Sequence, residues 1–212
     1  MRRLLAISML FILAAAPGAQ AAGIAFGAKA GLNVSNFHGD DAEGLEWMTG
    51  FAGGVFMTWS ATPVFGLQPE VLYVMNGAKD SEGDAEIKFK VDYIQVPVLA
   101  RIDLPLTGTL LPVLYAGPYV ALNVSSNVEA CLGNFCGEVD IKDYTTSSDF
   151  GFVIGGGFDA ELGVGTLSMD VRYNIGMTDI DDGIAGSIDE SLEDLQADLK
   201  NQSLMVLVGF SF

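Results

Sequence analysis

From Ile24 to the end of the chain, apolar residues alternate with small or polar ones at a spacing of two, in eight separate stretches. That spacing is the mark of a strand with one apolar face. Ile24 to Asn36 sets Phe26, Ala28, Ala30, Leu32 and Val34 against Gly27, Lys29, Gly31, Asn33 and Ser35. Gly50 to Ser60 sets Phe51, Val55, Met57 and Trp59 against Ala52, Gly54, Phe56 and Thr58. In the third, Phe65, Leu67, Val71, Tyr73 and Met75 oppose Gly66, Gln68, Glu70 and Asn76. The fifth, Val113 to Asn123, opposes Leu114, Ala116, Val120 and Leu122 to Tyr115, Gly117, Tyr119 and Asn123. Phe150, Phe152, Ile154, Phe158 and Leu162 face away from Asp149, Gly151, Gly155, Gly157, Asp159 and Glu161 in the sixth. The seventh opposes Leu167, Met169, Val171, Tyr173 and Ile175 to Ser168, Asp170, Arg172 and Asn174. The eighth ends the chain, with Leu204, Val206, Val208, Phe210 and Phe212 on one side and Ser203, Met205, Leu207, Gly209 and Ser211 on the other.

The fourth stretch changes phase. Lys88, Lys90 and Asp92 are polar at even positions, whereas beyond Tyr93 the even positions Ile94, Val96, Val98, Ala100 and Ile102 are apolar. Keeping the polar side on one face needs an extra residue, so a β-bulge is expected near Tyr93-Ile94. Pro69, Pro97 and Pro118 fall inside three consecutive strands and each removes a ladder donor, so bulges or widened pairing are expected there as well. Connections alternate between short (60–63, 103–110, 163–166) and long (38–48, 77–85, 125–148, 179–200). Eight antiparallel strands with all short turns at one end, beside both termini, match a membrane barrel.

The first 21 residues stand apart. Arg2 and Arg3 precede an apolar run from Leu4 to Ala16 and then Ala19-Gln20-Ala21, a signal peptide with its cleavage site. The expected organisation is therefore a signal peptide over 1–21 and a barrel domain over 22–212. Without Arg2 and Arg3, eight basic residues remain against 27 acidic ones, which argues against a nucleic-acid partner. Half of the residues are hydrophobic, which argues against disorder.

Alternation alone does not separate a lipid-facing barrel from a soluble ligand-binding one, whose apolar face points inward. Charge placement favours the former. The strand charges Lys29, Glu70, Lys88, Lys90, Asp92, Arg101, Asp159, Glu161, Asp170 and Arg172 are all assigned to the small face. Charge on a lipid-facing side costs roughly 2–4 kcal/mol per Lys or Arg at the midplane. As an interior, the small face fits the narrow lumen of eight strands, where charges must pair. Lys29, Arg101 and Arg172 are thus expected to meet Glu70, Asp159, Glu161 and Asp170. Trp47, Trp59, Tyr73, Tyr93 and Tyr173 are candidates for interfacial girdles.

These stretches resemble the PorT-like family of outer-membrane β-barrel proteins, related in architecture to OmpX and to the OmpA membrane domain. The resemblance is carried in order by GAKAGLNVSNFHGD (Gly27–Asp40), GLQPEVLYVMNGAK (Gly66–Lys79), DYIQVPVLARID (Asp92–Asp103) and LYAGPYVALNV (Leu114–Val124). DFGFVIGGGFDAEL (Asp149–Leu162), LSMDVRYNIGMTDI (Leu167–Ile180) and the terminal SLMVLVGFSF complete it. It implies prolines at these three positions, a cell outer-membrane location with both termini periplasmic, and Phe210 and Phe212 read as an insertion signal by the barrel-assembly machinery. It also implies contact with lipid and lipopolysaccharide, and a structural, adhesive or secretion-linked role.

Outside the strands, Cys131 and Cys136 sit five apart in an exported chain and are expected to form a local disulfide. Acidic residues crowd the long connections, and a solvated repulsive surface is the expectation, with weak divalent-ion binding near lipid phosphates as the alternative. Ser187 to Lys200 spaces Ile188, Leu192, Leu195 and Leu199 as an amphipathic helix. His38 is the sole histidine, and no catalytic group, metal site or cofactor is expected. A small-solute pore is the alternative to a non-catalytic surface barrel.

Overall fold

The computed structural model describes residues 23–38, 46–82, 85–104, 110–132, 135–142, 145–179 and 200–212. They form β1 (Ile24–His38), β2 (Glu46–Ser60), β3 (Phe65–Glu82), β4 (Ala85–Asp103), β5 (Leu110–Leu132), β6 (Phe135–Asp140), β7 (Ser148–Glu161), β8 (Thr166–Asp179) and β9 (Lys200–Ser211). All but β6 make a closed antiparallel barrel of eight strands, the ring being shut by pairing of β1 with β9 and of β4 with β5. Closure gives every wall strand a partner on both sides, so the ladder has no free edge around the ring. At the terminal rim, Phe26 and Phe212 exchange backbone hydrogen bonds of 3.1 and 2.9 Å.

Each of the eight alternating stretches is a wall strand. Phe26, Leu32, Phe51, Val55, Phe150, Phe158, Val206 and Val208 lie on the outer face and are exposed. The opposite, small face lines the lumen and is buried at Lys29 and Asn33 on β1 and from Asn201 to Leu207 on β9. A belt of exposed apolar side chains around a polar interior reverses the arrangement of a water-soluble domain.

The expected bulge lies on the neighbouring strand. β4 keeps one parity throughout, with Val91, Tyr93, Gln95, Leu99 and Arg101 all buried. Its register with β3 is unbroken there, Met75 pairing with Asp92 and Val74 with Tyr93. On the other side, Asp92 pairs with Ser125 but Tyr93 with Asn123, so Val124 of β5 is the extra residue. β5 therefore changes sides at that point, and Asn123 and Ser126 are both buried. Lys88, Lys90 and Asp92 consequently face outward, correcting their assignment to the lumen. Tyr93 faces inward, correcting its place among the girdle candidates, whereas Trp47, Trp59 and Tyr73 are exposed.

The prolines produce gaps rather than bulges. Pairing of β2 with β3 passes from Phe56↔Glu70 to Trp59↔Leu67 with no change of register. The same skip occurs between Pro69↔Val98 and Leu72↔Gln95, and between Pro97↔Tyr119 and Ala100↔Ala116. Each proline still pairs on its other flank, so the lost N–H opens a gap of two residue pairs on one side only.

The far end is more structured than alternation suggests. β3 and β4 run on to Glu82 and Ala85, and β5 continues to Leu132, where β6 folds back on it. Residues 1–22, with the expected signal peptide, and 187–199 of the expected helix lie outside the described residues. At the opposite end, Gly163 takes φ 77° in the turn between β7 and β8, a conformation open to glycine at little cost.

Gly31 marks where closure leaves no room. A Cβ there would stand 1.9 Å from the Val206 carbonyl oxygen of β9. Gly31→Val is expected to abolish the compact, heat-modifiable band in SDS gels, while Ala28→Val on the outer face preserves it.

Candidate functional site

Strand periodicity brings the lumen charges together. Lys29 comes from β1, Glu70 from β3, and Asp170 and Arg172 from one face of β8, two residues apart. Arg172 grips Glu70 with both terminal nitrogens, Nη1 to Oε2 at 2.6 Å and Nη2 to Oε1 at 2.9 Å. Nη2 also donates to Asp170 Oδ2 at 2.8 Å. Lys29 Nζ closes the square, 3.0 Å from Glu70 Oε1 and 2.8 Å from Asp170 Oδ2. Two cations and two anions leave the cluster neutral, the condition under which buried charges are tolerated.

Neutral groups complete it. Gln68 Nε2 donates to Glu70 Oε1 at 2.7 Å, and the Tyr115 hydroxyl donates to Asp170 Oδ1 at 3.0 Å. Lys29 Nζ lies 4.4 Å from the centroid of the Phe56 ring, and the Arg172 guanidinium 4.9 Å from that of Tyr115. These are cation–π distances in a desolvated setting, where the contact is strongest.

A second cluster sits nearer the terminal rim. Arg101 Nη2 reaches Asp159 Oδ2 and Asp103 Oδ1, each at 2.5 Å, and Nη1 donates to Gln68 Oε1 at 3.2 Å. Gln68 thereby joins the two clusters through its amide. Of the residues expected in the network, Glu161 is not drawn in: it is exposed at the last position of β7 and makes no ion pair among the described residues. Asp103 takes a place that sequence reasoning missed. The signal was present, because Asp103 is two residues from Arg101 and so on the same face.

The arrangement clamps the barrel and fills it. Lys29, Glu70, Asp170 and Arg172 are each 4% exposed or less. The Ser35 hydroxyl is held between the N–H and C=O of Gly77, both at 2.9 Å.

The far end carries a different surface. Outward-facing residues at one level of the sheet run Glu46, Lys79, Lys88 and Glu129 from β2 to β5. Lys79 pairs with Glu46 at 3.1 Å, Lys88 with Glu86 at 2.6 Å, and Lys90 with Glu129. Cys131 and Cys136 stand opposite one another across the β5–β6 hairpin and are joined as a disulfide. β6 is exposed along its whole length and, among the described residues, pairs only with β5.

The model of the outer membrane protein beta-barrel domain matches residues 18–182. Among solved structures, the chain is similar to neisserial surface protein A, at 12% identity and a TM-score of 0.47, over 89% of this chain and 99% of that one. It is similar to OprG from Pseudomonas aeruginosa at 13% identity and 0.46, over 90% and 97%. Ail, the attachment invasion locus protein of Yersinia pestis, is similar at 12% identity and 0.42, over 91% and 100%. No curated protein matches.

Removing one member of the neutral square leaves a buried charge uncompensated, which costs roughly 3–5 kcal/mol. Glu70→Gln is expected to lower the stability of the refolded barrel by about that much in urea titrations. Glu161→Gln is expected to change it by less than about 0.5 kcal/mol, as for an exposed side chain.

Proposed function

The chain belongs to the outer membrane protein beta-barrel domain family, and from that membership we propose a non-catalytic, non-conducting barrel that presents a projecting sheet at the cell surface. One observation carries this reading: the wall is much taller on one side than a membrane requires. β3, β4 and β5 have 18, 19 and 23 residues, whereas β9 has 12. A tilted strand crosses the hydrocarbon in about 9–11 residues. The surplus of β3 to β5 carries outward Lys79, Lys88, Lys90 and Glu129, which belong in water or among lipid headgroups. There the hydrogen bond from Lys90, the larger influence, holds the Glu129 carboxyl below its usual range.

In this reading the termini and short turns are periplasmic, and residues 1–21 are a signal peptide removed on export. The β5–β6 hairpin stands outermost, stapled by its disulfide. The side of β6 that no described strand pairs offers backbone donors and acceptors to an extended segment of a partner protein. The interlocked lumen supports a filled barrel over the small-solute pore. A PorT-like, secretion-linked role rests on the ordered strand motifs and would use the same surface.

An epitope inserted between Leu132 and Phe135 is expected to bind antibody on intact cells, and the reconstituted barrel to pass no stable current in planar bilayers. Antibody access only after permeabilisation would reverse the orientation, and a steady open current would restore the pore.

Phe210 and Phe212 are proposed as the signal read during insertion. Their rings meet edge to face at 4.9 Å on the closing strand, at the rim. Deleting Phe212 is expected to cut delivery to the outer membrane severalfold while leaving refolding into detergent intact. Equal loss of both would make the residue structural only.

A further inference from the structure

Toward the far rim the lumen holds a second polar region, and its charge is unanswered. Asp149, 4% exposed at the start of β7, is a lumen carboxylate that no ion pair among the described residues reaches. Its Oδ2 accepts hydrogen bonds from the Tyr119 hydroxyl at 3.1 Å and from Asn201 Nδ2 at 3.0 Å. Its Oδ1 is buried and accepts no hydrogen bond of good geometry, the backbone N–H groups of Thr178 and Phe150 being the further donors beside the carboxyl. Asn201, 3% exposed on β9, also donates from Nδ2 to the Tyr93 hydroxyl oxygen at 3.1 Å. Its own Oδ1 is likewise buried without a partner. The amide orientation follows from its neighbours, because a flipped Asn201 would set oxygen against the carboxylate.

Both orphaned atoms are acceptors. They belong to residues lining a cavity of about 10 Å³, together with Tyr93, Tyr119, Asn174 and Ser203. That is room for one water-sized occupant. Water would supply protons to the orphans but would leave the carboxylate's charge uncompensated in a low-dielectric interior.

We propose that this cavity binds one dehydrated monovalent cation of sodium type. Asp149 supplies the charge through Oδ1, and the Asn201 amide oxygen is a second ligand. Hard cations take oxygen ligands, and the remaining lining offers hydroxyl and amide oxygens. A single carboxylate matches a single positive charge, whereas a divalent ion would ask for more. The site ties β7 to β9 over the intervening β8, whereas the Arg172–Glu70 pair ties β8 to β3 across the lumen, and it is independent of any role at the cell surface.

The test uses the full mature barrel refolded in detergent, with sodium replaced by choline at constant ionic strength. At sodium ten times its Kd, the unfolding constant of the wild type is expected to fall about 11-fold relative to choline. Asp149→Asn, close in shape, is expected to show no such dependence. Crystals soaked in thallium are expected to show an anomalous peak beside Asp149 Oδ1 in the wild type and none in the variant. A wild type indifferent to the ion, with no thallium peak, would overturn the proposal and leave Asp149 carrying a proton beside a water. The same sodium response in both proteins would overturn it too, placing the effect elsewhere.

Discussion

The barrel depends on the bidentate grip of Arg172 on Glu70, because it decides what a narrow closed sheet can hold inside. Eight strands leave a lumen that side chains must fill, and a period of two sends half of each strand into it. Placing charges there is costly unless each finds an opposite within hydrogen-bond reach. Lys29 and Asp170 complete a neutral square, and Gln68 and Tyr115 occupy the remaining acceptors. An interior of this kind resists rearrangement, since moving one strand by a residue would turn its lumen set outward and leave ions unpaired.

The same rule shapes the outside. Lipid-facing positions carry Phe, Leu, Val and Met because nothing there compensates a charge, and charged residues reappear outward only where the wall rises beyond the apolar belt. The bulge at Val124 makes that transition on β5, pairing outward Lys90 and Lys88 of β4 with outward Asn127 and Glu129. One unpaired residue thus lets the sheet leave the lipid without breaking the ladder. Asp149 follows the rule from the other side, as a lumen carboxylate whose proposed counterpart is a cation from solution.

Much of this was legible along the chain. Eight wall strands, the lumen sides of all but the far half of β4 and most of the ion-pair partners follow from alternation, which depends only on neighbours two apart. Lys29, Glu70, Arg101, Asp159, Asp170 and Arg172 could be named from that pattern. The phase change near Tyr93 was also visible, but its location was not. Alternation within β4 cannot report that the extra residue belongs to β5, because a bulge is a property of a pair of strands. Glu161 kept the parity of a lumen residue and was lost from the network because its strand ends at the rim.

Which residues can tolerate lipid is written in the order of the chain, since that choice is set by transfer energy and by a local period of two. The same order determined the number of wall strands, through the turns and long connections between apolar runs. Who meets whom across the lumen emerges with the folded barrel alone. That depends on the stagger of strands around the ring, a long-range quantity no local pattern carries. The stagger sets Arg172 against Glu70 at a separation of 102 residues, and it sets Asp149 beside Asn201 and Tyr119 rather than in one of the ion pairs among the described residues.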